Sequence, residues 1–529
     1  MVAVLWIGLS TPTHAEELVI LHTNDTHSHL FPFGTFNQYG GIARMSTKIK
    51  RLKKKNTNVL TLHAGDAFVG TFAFNKYLGY PELKIMEGLY DAMCLGNHEL
   101  DLGVDILGYI LGGFNPVESV ALGPPVNLPI LSANVDFTTF PMTDAFIQPW
   151  LIKNVGGLKV GLLGVVTNDP IYYSEATAGL ISDPYLAAGM TAAQLRGMGC
   201  HIVIAVSHLG KIYDVMGLSA VPGIDIIIGG HSHDEMPAQI IDGKIIVQAG
   251  EFGKNLGELK VDVDPNTGAV TLVKHKLHPI NRKVRWDYTL MWELIKLRVG
   301  IYKDPRFGPV YSKRVAWAKW DHEERWVETD PHREPHHMDT PLGNLIADAI
   351  RTGVEQAGYP VDIALEANGY IGHKIYRGKV VANDIMRSVP YGFDPISGLG
   401  FKIKLVQLAA MELLFGLEYT VHQAEYVDDL SLQVSGLEFD YDSTLDPFNR
   451  VDIASIRING TPFNPSAVYT IALSEQLLGF LAGLGLDLTG RVEDPIPAIM
   501  EFNLVKDYMK NLKRLKYKSE GRIIDTSLE

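Results

Sequence analysis

Cysteine is nearly absent from this chain: two residues in 529, Cys94 and Cys200. A disulfide framework is therefore excluded. Cys94 lies inside an apolar run and Cys200 directly precedes another, so both read as small core residues and are expected to be free thiols. Long apolar runs are missing as well. None approaches the ~20 residues that a membrane-crossing helix needs, and no transmembrane segment is expected. Positive charge is the third shortage. Lys and Arg number 47 against 60 Asp and Glu, a formal net charge of −13. That balance argues against a nucleic-acid polymer as main partner, because phosphate backbones need a basic surface. A small phosphorylated partner stays open, since bound metal ions supply local positive charge whatever the overall balance. Internal repeats and low-complexity tracts are also lacking.

What is present starts at the N-terminus. Val2–Leu9 is a short apolar stretch, followed by Thr13-His14-Ala15, an A-x-A-like cleavage site. The basic residues usual ahead of such a stretch are missing. Residues 1–15 read as the remnant of a secretory signal with a truncated or misassigned start, and the protein as exported, periplasmic or secreted.

Five short apolar runs then each end in residues that can hold a metal. They are Leu18–Leu21 before Asp25-Thr26-His27, Val59–Leu62 before Gly65-Asp66, Ala92–Leu95 before Gly96-Asn97-His98-Glu99, Ile202–Val206 before Ser207-His208, and Ile224–Ile228 before His231-Ser232-His233. Divalent metals take imidazole nitrogens and carboxylate or amide oxygens, and a metal pair needs one carboxylate to bridge it. A buried strand gives such a side chain a rigid base, and the turn at its carboxyl end can aim it into a shared crevice. One histidine after one strand is ordinarily a core or edge residue. Five strand ends carrying only metal-competent types point to a two-metal hydrolase.

Between the strands, Ile42, Met45, Ile49 and Leu52 fall at helical spacing, and Lys53-Lys54-Lys55 reads as a solvated helix C-terminus. Strands separated by helices predict a layered α/β domain over residues 16–285, closed by a hairpin of Gly257–Val263 and Val270–Leu277. Leu290, Leu294, Leu297 and Ile301 predict a linker helix within 286–309. Residues 310–525 form a second α/β domain, whose clearest helix starts at Thr340-Pro341. Asp321–Asp339, with His322, His332, His336 and His337, is rich in acids and histidines but is broken by Pro331 and Pro335; it reads as a solvated loop in preference to a third metal site.

The order D-x-H, G-D, G-N-H-E, H, G-H-x-H resembles the calcineurin-type metallophosphoesterases. His22-Thr23-Asn24-Asp25-Thr26-His27-Ser28-His29, Ala64-Gly65-Asp66-Ala67-Phe68, Gly96-Asn97-His98-Glu99-Leu100-Asp101 and Gly229-Gly230-His231-Ser232-His233 narrow the resemblance to the 5'-nucleotidase family. It implies a four-layer sandwich of two sheets between helices. It implies Asp25, His27, Asp66 and His233 on a first divalent metal and Asp66, Asn97, His208 and His231 on a second, with Zn, Mn and Co as candidates. It also implies His98 and Asp101 as a catalytic dyad. The residues agree: Asp66 has two oxygens and can bridge, neutral Asn97 limits negative charge, and the i, i+3 spacing lets Asp101 accept from the His98 imidazole. Two such metals acidify a bound water for in-line attack on phosphate.

The second half matches the family less well. Asn368-Gly369-Tyr370-Ile371-Gly372-His373 places a histidine where an N-G-G-G-I-R motif carries its phosphate-binding arginine. Met338 stands near a second expected arginine, and N-G-G-D-G is not recognisable around Phe480–Leu488, whereas Val389-Pro390-Tyr391-Gly392 resembles the L-P-F-G turn. Asn368 and Tyr391 are the candidate substrate contacts. The expected activity is hydrolysis of small phosphomonoesters, nucleoside 5'-monophosphates first, with little selectivity for the nucleotide. The alternatives are the same metal chemistry on a non-nucleotide or sulfur-linked ester, or a non-catalytic binding protein on the same scaffold.

Overall fold

Strand and helix alternate through the first half of the chain because fully apolar four- to nine-residue runs are separated by amphipathic stretches. The structure is a computed structural model that describes residues 15–326, 331–332, 334–426 and 428–528. All of the expected signal remnant except Ala15 therefore lies outside the described residues. By internal packing the described chain forms two units.

The first unit comprises the described residues up to Val69 together with Tyr77–Lys296. Strands β1 (Glu16–Thr23), β2 (Val59–His63), β3 (Ala92–Cys94), β4 (Ile130–Leu131) and β5 (Ile147–Gln148) enter a first sheet. The next six, β6 (Trp150–Val155), β7 (Leu158–Val166), β8 (Ile202–His208), β9 (Ile226–Ile228), β10 (Glu235–Ile241) and β11 (Lys244–Ala249), build a second. The chain then returns to the first sheet with β12 (Asn255–Val263) and β13 (Val270–Pro279). The spatial orders are β13-β12-β1-β2-β3-β4-β5 and β10-β11-β9-β8-β7-β6.

Leu18, Ile20, Leu60 and Leu62 from the first sheet and Leu162, Ile204, Val206 and Ile228 from the second share one buried core. Helix α1 (Ile42–Lys53) buries Met45, Ile49 and Leu52, and α2 (Pro184–Gly197) packs Ala188, Ala192 and Leu195 on Val203 and Ala205 of the second sheet. This is the expected α/β/β/α layering. The closing hairpin is present as the antiparallel pair β12–β13. Both cysteines are buried free thiols, Cys94 within β3.

The linker helix α3 (Met291–Lys303) leads into the second unit, the chain from Leu297. There α4 (Pro341–Gln356) begins as its sequence predicts, with Thr340 Oγ1 accepting from Gly343 N at 3.0 Å. The central sheet contains β14 (Ile363–Ala367), β15 (Ile403–Ala409), β16 (Leu432–Ser435), β17 (Val468–Ser474) and β18 (Val492–Glu493), in the order β16-β14-β17-β15-β18. Helices α5 (Ala410–Gln423) and α6 (Glu475–Gly483) contribute Leu413, Leu417, Leu477 and Leu481 to the core below it, and α7 (Glu501–Leu512) follows.

One segment joins this unit from far upstream. Gly70–Lys76 packs with the second unit: Phe72 meets the rings of Phe307 and Phe502 at 5.1 and 5.6 Å, Asn75 donates to the Gly398 carbonyl at 2.8 Å, and Lys76 pairs with Asp304 at 3.0 Å.

Candidate active site

β1, β2 and β3 run parallel in one sheet, as do β8 and β9 in the other, so each set presents its carboxyl ends together. The turns that follow are sharp. φ is +48° at Asp25, +44° at His27, +56° at Asp66, +75° at His231 and +61° at His233. A left-handed backbone costs a non-glycine residue about 1–3 kcal/mol, and such residues concentrate where geometry matters more than local stability. Two glycines make room for them. A Cβ on Gly96 would stand 2.1 Å from Asp66 Oδ1, and one on Gly230 would stand 2.4 Å from the Ala64 carbonyl oxygen.

Asp25, His27 and His233 bring one ligand atom each within 4.8 Å of one another, and Asp66, His208 and His231 do the same. Asp66 Oδ2 lies 3.0 Å from His208 Nε2 and 3.9 Å from His27 Nε2, which puts this carboxylate between the clusters. Asn97 Oδ1 is 3.1 Å from His208 Nε2.

The opposite ring nitrogens are committed elsewhere. His27 Nδ1 faces the Phe68 carbonyl at 3.1 Å, and His208 Nδ1 faces the Ala64 carbonyl at 2.6 Å. His233 Nδ1 faces Glu251 Oε2 at 2.9 Å. Each of these partners accepts only, so each Nδ1 carries a proton, and Nε2 is the ring atom left facing the carboxylates. The Nε2 atoms of His27 and His233 are only 3.1 Å apart, a contact that requires a cation between them or a proton on one of them.

The charges tell the same story. Burial opposes ionisation of Asp25 and Asp66, yet the surrounding imidazoles hold both carboxyls below the usual range. Burial likewise works against protonation of His208 and His233, but Asp66 and Asp25 push His208 up to about 9, and Asp25 with Glu251 pushes His233 up to about 10. His27 is driven down to about 3, mainly by burial. The site demands positive charge at its centre, and its imidazole, carboxylate and amide donors are those that divalent ions accept. The residues fit two such ions.

His98 stands beside this cluster on a short 3-10 turn. Its Nδ1 is 2.8 Å from Asp101 Oδ2, its backbone N–H donates to Asp66 Oδ1 at 3.0 Å, and its Nε2 is 3.9 Å from Asp66 Oδ2. Burial lowers its proton affinity, but Asp101 and Asp66 prevail and raise it to about 9. The pairing with Asp101 favours the protonated imidazole.

Two acids of the site have no role in the sequence reading. Glu99 Oε2 accepts from Asp66 N and Gly96 N at 3.0 and 2.7 Å, and its Oε1 accepts from Ala67 N and Phe68 N at 2.8 and 3.1 Å. One buried carboxylate thus ties two of the ligand turns together. Glu251 backs His233, and its neighbour Phe252 donates its N–H to the Asp25 carbonyl at 2.6 Å. The Phe252 ring lies 4.5–5.7 Å from the rings of His27, His29 and His233. The signal was available: Glu251 follows the apolar strand β11, a sixth strand end of the same kind.

Asn368 and Tyr391 belong to the second unit. Asn368 follows β14, is 5% exposed, and its Oδ1 is buried without a partner. Its turn and that of Tyr391 are neighbours, since Gly372 N donates to the Ser388 carbonyl at 3.0 Å and a Cβ there would strike Pro390. His373 is buried, with its ring 5.3 Å from that of Tyr376. In place of an N-G-G-D-G loop, Ser474 caps helix α6 by accepting from Leu477 N. The histidine-rich stretch is not simply solvated. His322 is fully buried against the Trp320 carbonyl at 3.0 Å, and His332 lies over the Trp320 ring at 4.1 Å; the tryptophan gives the histidines an apolar surface that the proline pattern does not reveal. Residues 327–330 and 333 of it lie outside the described residues.

A family model for calcineurin-like phosphoesterases matches residues 18–235, and one for the 5'-nucleotidase C-terminal domain matches residues 324–480. A snake venom 5'-nucleotidase of Crotalus adamanteus is 29% identical over 99% of this chain and 92% of its own length. The crystal structure of a 5'-nucleotidase precursor from Thermus thermophilus superposes with a TM-score of 0.81 at 27% identity, covering 96% of this chain and 99% of that one. The chain thus carries a calcineurin-like phosphoesterase domain followed by a 5'-nucleotidase C-terminal domain. A sulfate thiohydrolase from the same genus, 16% identical with a TM-score of 0.76 and 96% coverage of each chain, shares the fold alone. With these two domains the chain is an enzyme, a hydrolase of phosphoester bonds that depends on divalent metal. Among its described residues no helix is long and apolar enough to cross a membrane.

Proposed function

We propose that this enzyme uses two divalent metals to hydrolyse small phosphomonoesters, with nucleoside 5'-monophosphates as its main substrates. The observation that carries the two-metal reading is Asp66 Oδ2 lying 3.0 Å from His208 Nε2 of one cluster and 3.9 Å from His27 Nε2 of the other. Asp25, His27, Asp66 and His233 would hold one ion, and Asp66, Asn97, His208 and His231 the other. When bound, the ions supply an acidified water and charge to orient the phosphoryl group.

The remaining work falls to the chain. Cationic His98, oriented by Asp101, stabilises negative charge growing on the phosphoryl oxygens. Glu99 fixes the turns of Asp66 and Asn97 so that the ligands need not reorganise. Asn368, with an unpartnered buried oxygen, accepts a hydrogen bond from the leaving portion, and Tyr391 offers it an aromatic face. The names of the relatives support the nucleotide, and the A-x-A-like site at residues 13–15, with relatives from venom, supports work outside the cytoplasm in the periplasm or medium.

The test is phosphate release from a panel of nucleoside monophosphates and simple phosphate esters, on enzyme stripped with chelator and reloaded with Mn, Zn or Co. Activity should vanish on stripping and return with two metal equivalents. Full activity in stripped enzyme would sink the proposal.

A further inference from the structure

His233 does not rest against a backbone carbonyl as His27 and His208 do. Its Nδ1 meets a carboxylate, Glu251 Oε2, at 2.9 Å, and the other oxygen of that carboxylate meets Lys254 Nζ at 2.6 Å. The turn that carries both residues is built for this. It leaves β11 with Gly250 and Gly253 in the left-handed region, at φ of +82° and +64°, and Phe252 between them at +53°. Gly250 N donates to the Asp234 carbonyl at 2.9 Å, Lys254 N to the Glu251 carbonyl at 2.9 Å, and Ile280 N to the Lys254 carbonyl at 2.7 Å. The Lys254 ammonium also sits 5.2 Å from the centroid of the Phe252 ring, which in turn lies 5.6 Å from that of His233. Lys254, Glu251 and His233 thus form a chain of alternating charge ending on Nε2.

We infer that Glu251 is a positioning residue for the first metal, and that Lys254 sets its strength. An imidazole whose N–H donates to a carboxylate is a better electron donor at its other nitrogen than one backed by a neutral carbonyl, and its ring is held in one tautomer and orientation. His208, backed by the Ala64 carbonyl, lacks this reinforcement. Glu251 therefore tightens the ion that Asp25, His27 and His233 would hold. Lys254 holds the second oxygen of the Glu251 carboxylate and so aims the first at His233. The inference rests on the two-metal reading above.

Glu251→Gln keeps the shape and removes the charge. Metal content is measured by mass spectrometry of the protein equilibrated with Zn and increasing chelator, for wild type and variant. The variant should release one of its two ions at about 10- to 100-fold lower chelator strength, the usual worth of such a partner, while the second ion leaves at the wild-type midpoint. Lys254→Met should shift the same ion in the same direction by less. Unfolding of the stripped proteins is the control: equal melting temperatures for stripped wild type and Glu251→Gln support action through the metal, whereas a loss already present without metal assigns Glu251 to the scaffold and overturns the inference. So does a variant that keeps both ions at wild-type midpoints, or one that loses both together. A wild type that binds no second ion would instead defeat the two-metal reading itself.

Discussion

His98 and Asp101 are locked in a 2.8 Å hydrogen bond while the backbone N–H of the same histidine holds Asp66 Oδ1 at 3.0 Å. The residue has two separable jobs: its main chain steadies a candidate ligand, and its side chain offers charge. His98→Ala keeps the first job and loses the second. Turnover should fall about 10²–10³-fold, the worth of one preorganised stabiliser of transition-state charge, with metal content unchanged. Steady-state kinetics with metal analysis checks this, and loss of metal would place His98 in the coordination shell instead.

Asp66→Asn replaces the one carboxylate that both clusters share. The variant should lose turnover and drop from two bound metal equivalents to one or none, since a neutral amide oxygen bridges two cations poorly. Wild-type activity with two full equivalents would remove the bridging assignment.

The second unit carries a pH-dependent weakness. Glu366 and Glu501 are both buried and act on each other; burial raises both carboxyls, Glu366 to about 8. The folded state keeps protons that the unfolded chain releases near the ordinary value of about 4.5. Stability contributed by the pair is therefore greatest below pH ~4.5 and is lost as pH rises toward ~8. Glu366→Gln removes that titration. Its melting temperature should gain on wild type at pH 8, by about 2–4 °C for each kcal/mol recovered, and gain little at pH 4.5. An equal shift at both pH values would mean that ionisation is not the cause.

Selectivity for the nucleotide should be modest. With His373 buried in place of the arginine and no N-G-G-D-G motif around Phe480–Leu488, AMP should exceed a small phosphate ester in kcat/KM by less than about 100-fold, roughly what one charge-assisted contact of ~3 kcal/mol would add. Tyr391→Ala should cost AMP about tenfold and the small ester nothing, as base stacking is worth ~1–3 kcal/mol. A preference of many thousandfold would reveal a base pocket elsewhere. An unchanged ratio would remove the stacking role.

The layers and the strand ends were legible because two signals coincide there: an uninterrupted apolar run, and a polar cluster that only a ligand site would tolerate beside it. Thr340-Pro341 and Leu18–Leu21 needed nothing beyond local sequence. Glu99 and Glu251 were harder to read, since their meaning lies in what they hold. Four backbone N–H groups from two separate turns converge on Glu99, and no local pattern announces such a meeting. His322 misled for the converse reason: its burial comes from Trp320 and the strands around it, while the neighbouring prolines suggested solvent.

Gly70–Lys76 begins only four residues after Asp66, yet it completes the core of a unit whose remaining sequence starts more than two hundred residues later. Cutting the chain inside α3 would not yield two self-sufficient halves. The leading fragment would carry Phe72 without the rings it packs on, and the trailing one would keep Phe307 and Phe502 around a missing wedge. The unit that begins again at Leu297 is thus discontinuous in sequence, and a fragment starting there lacks one of its own pieces.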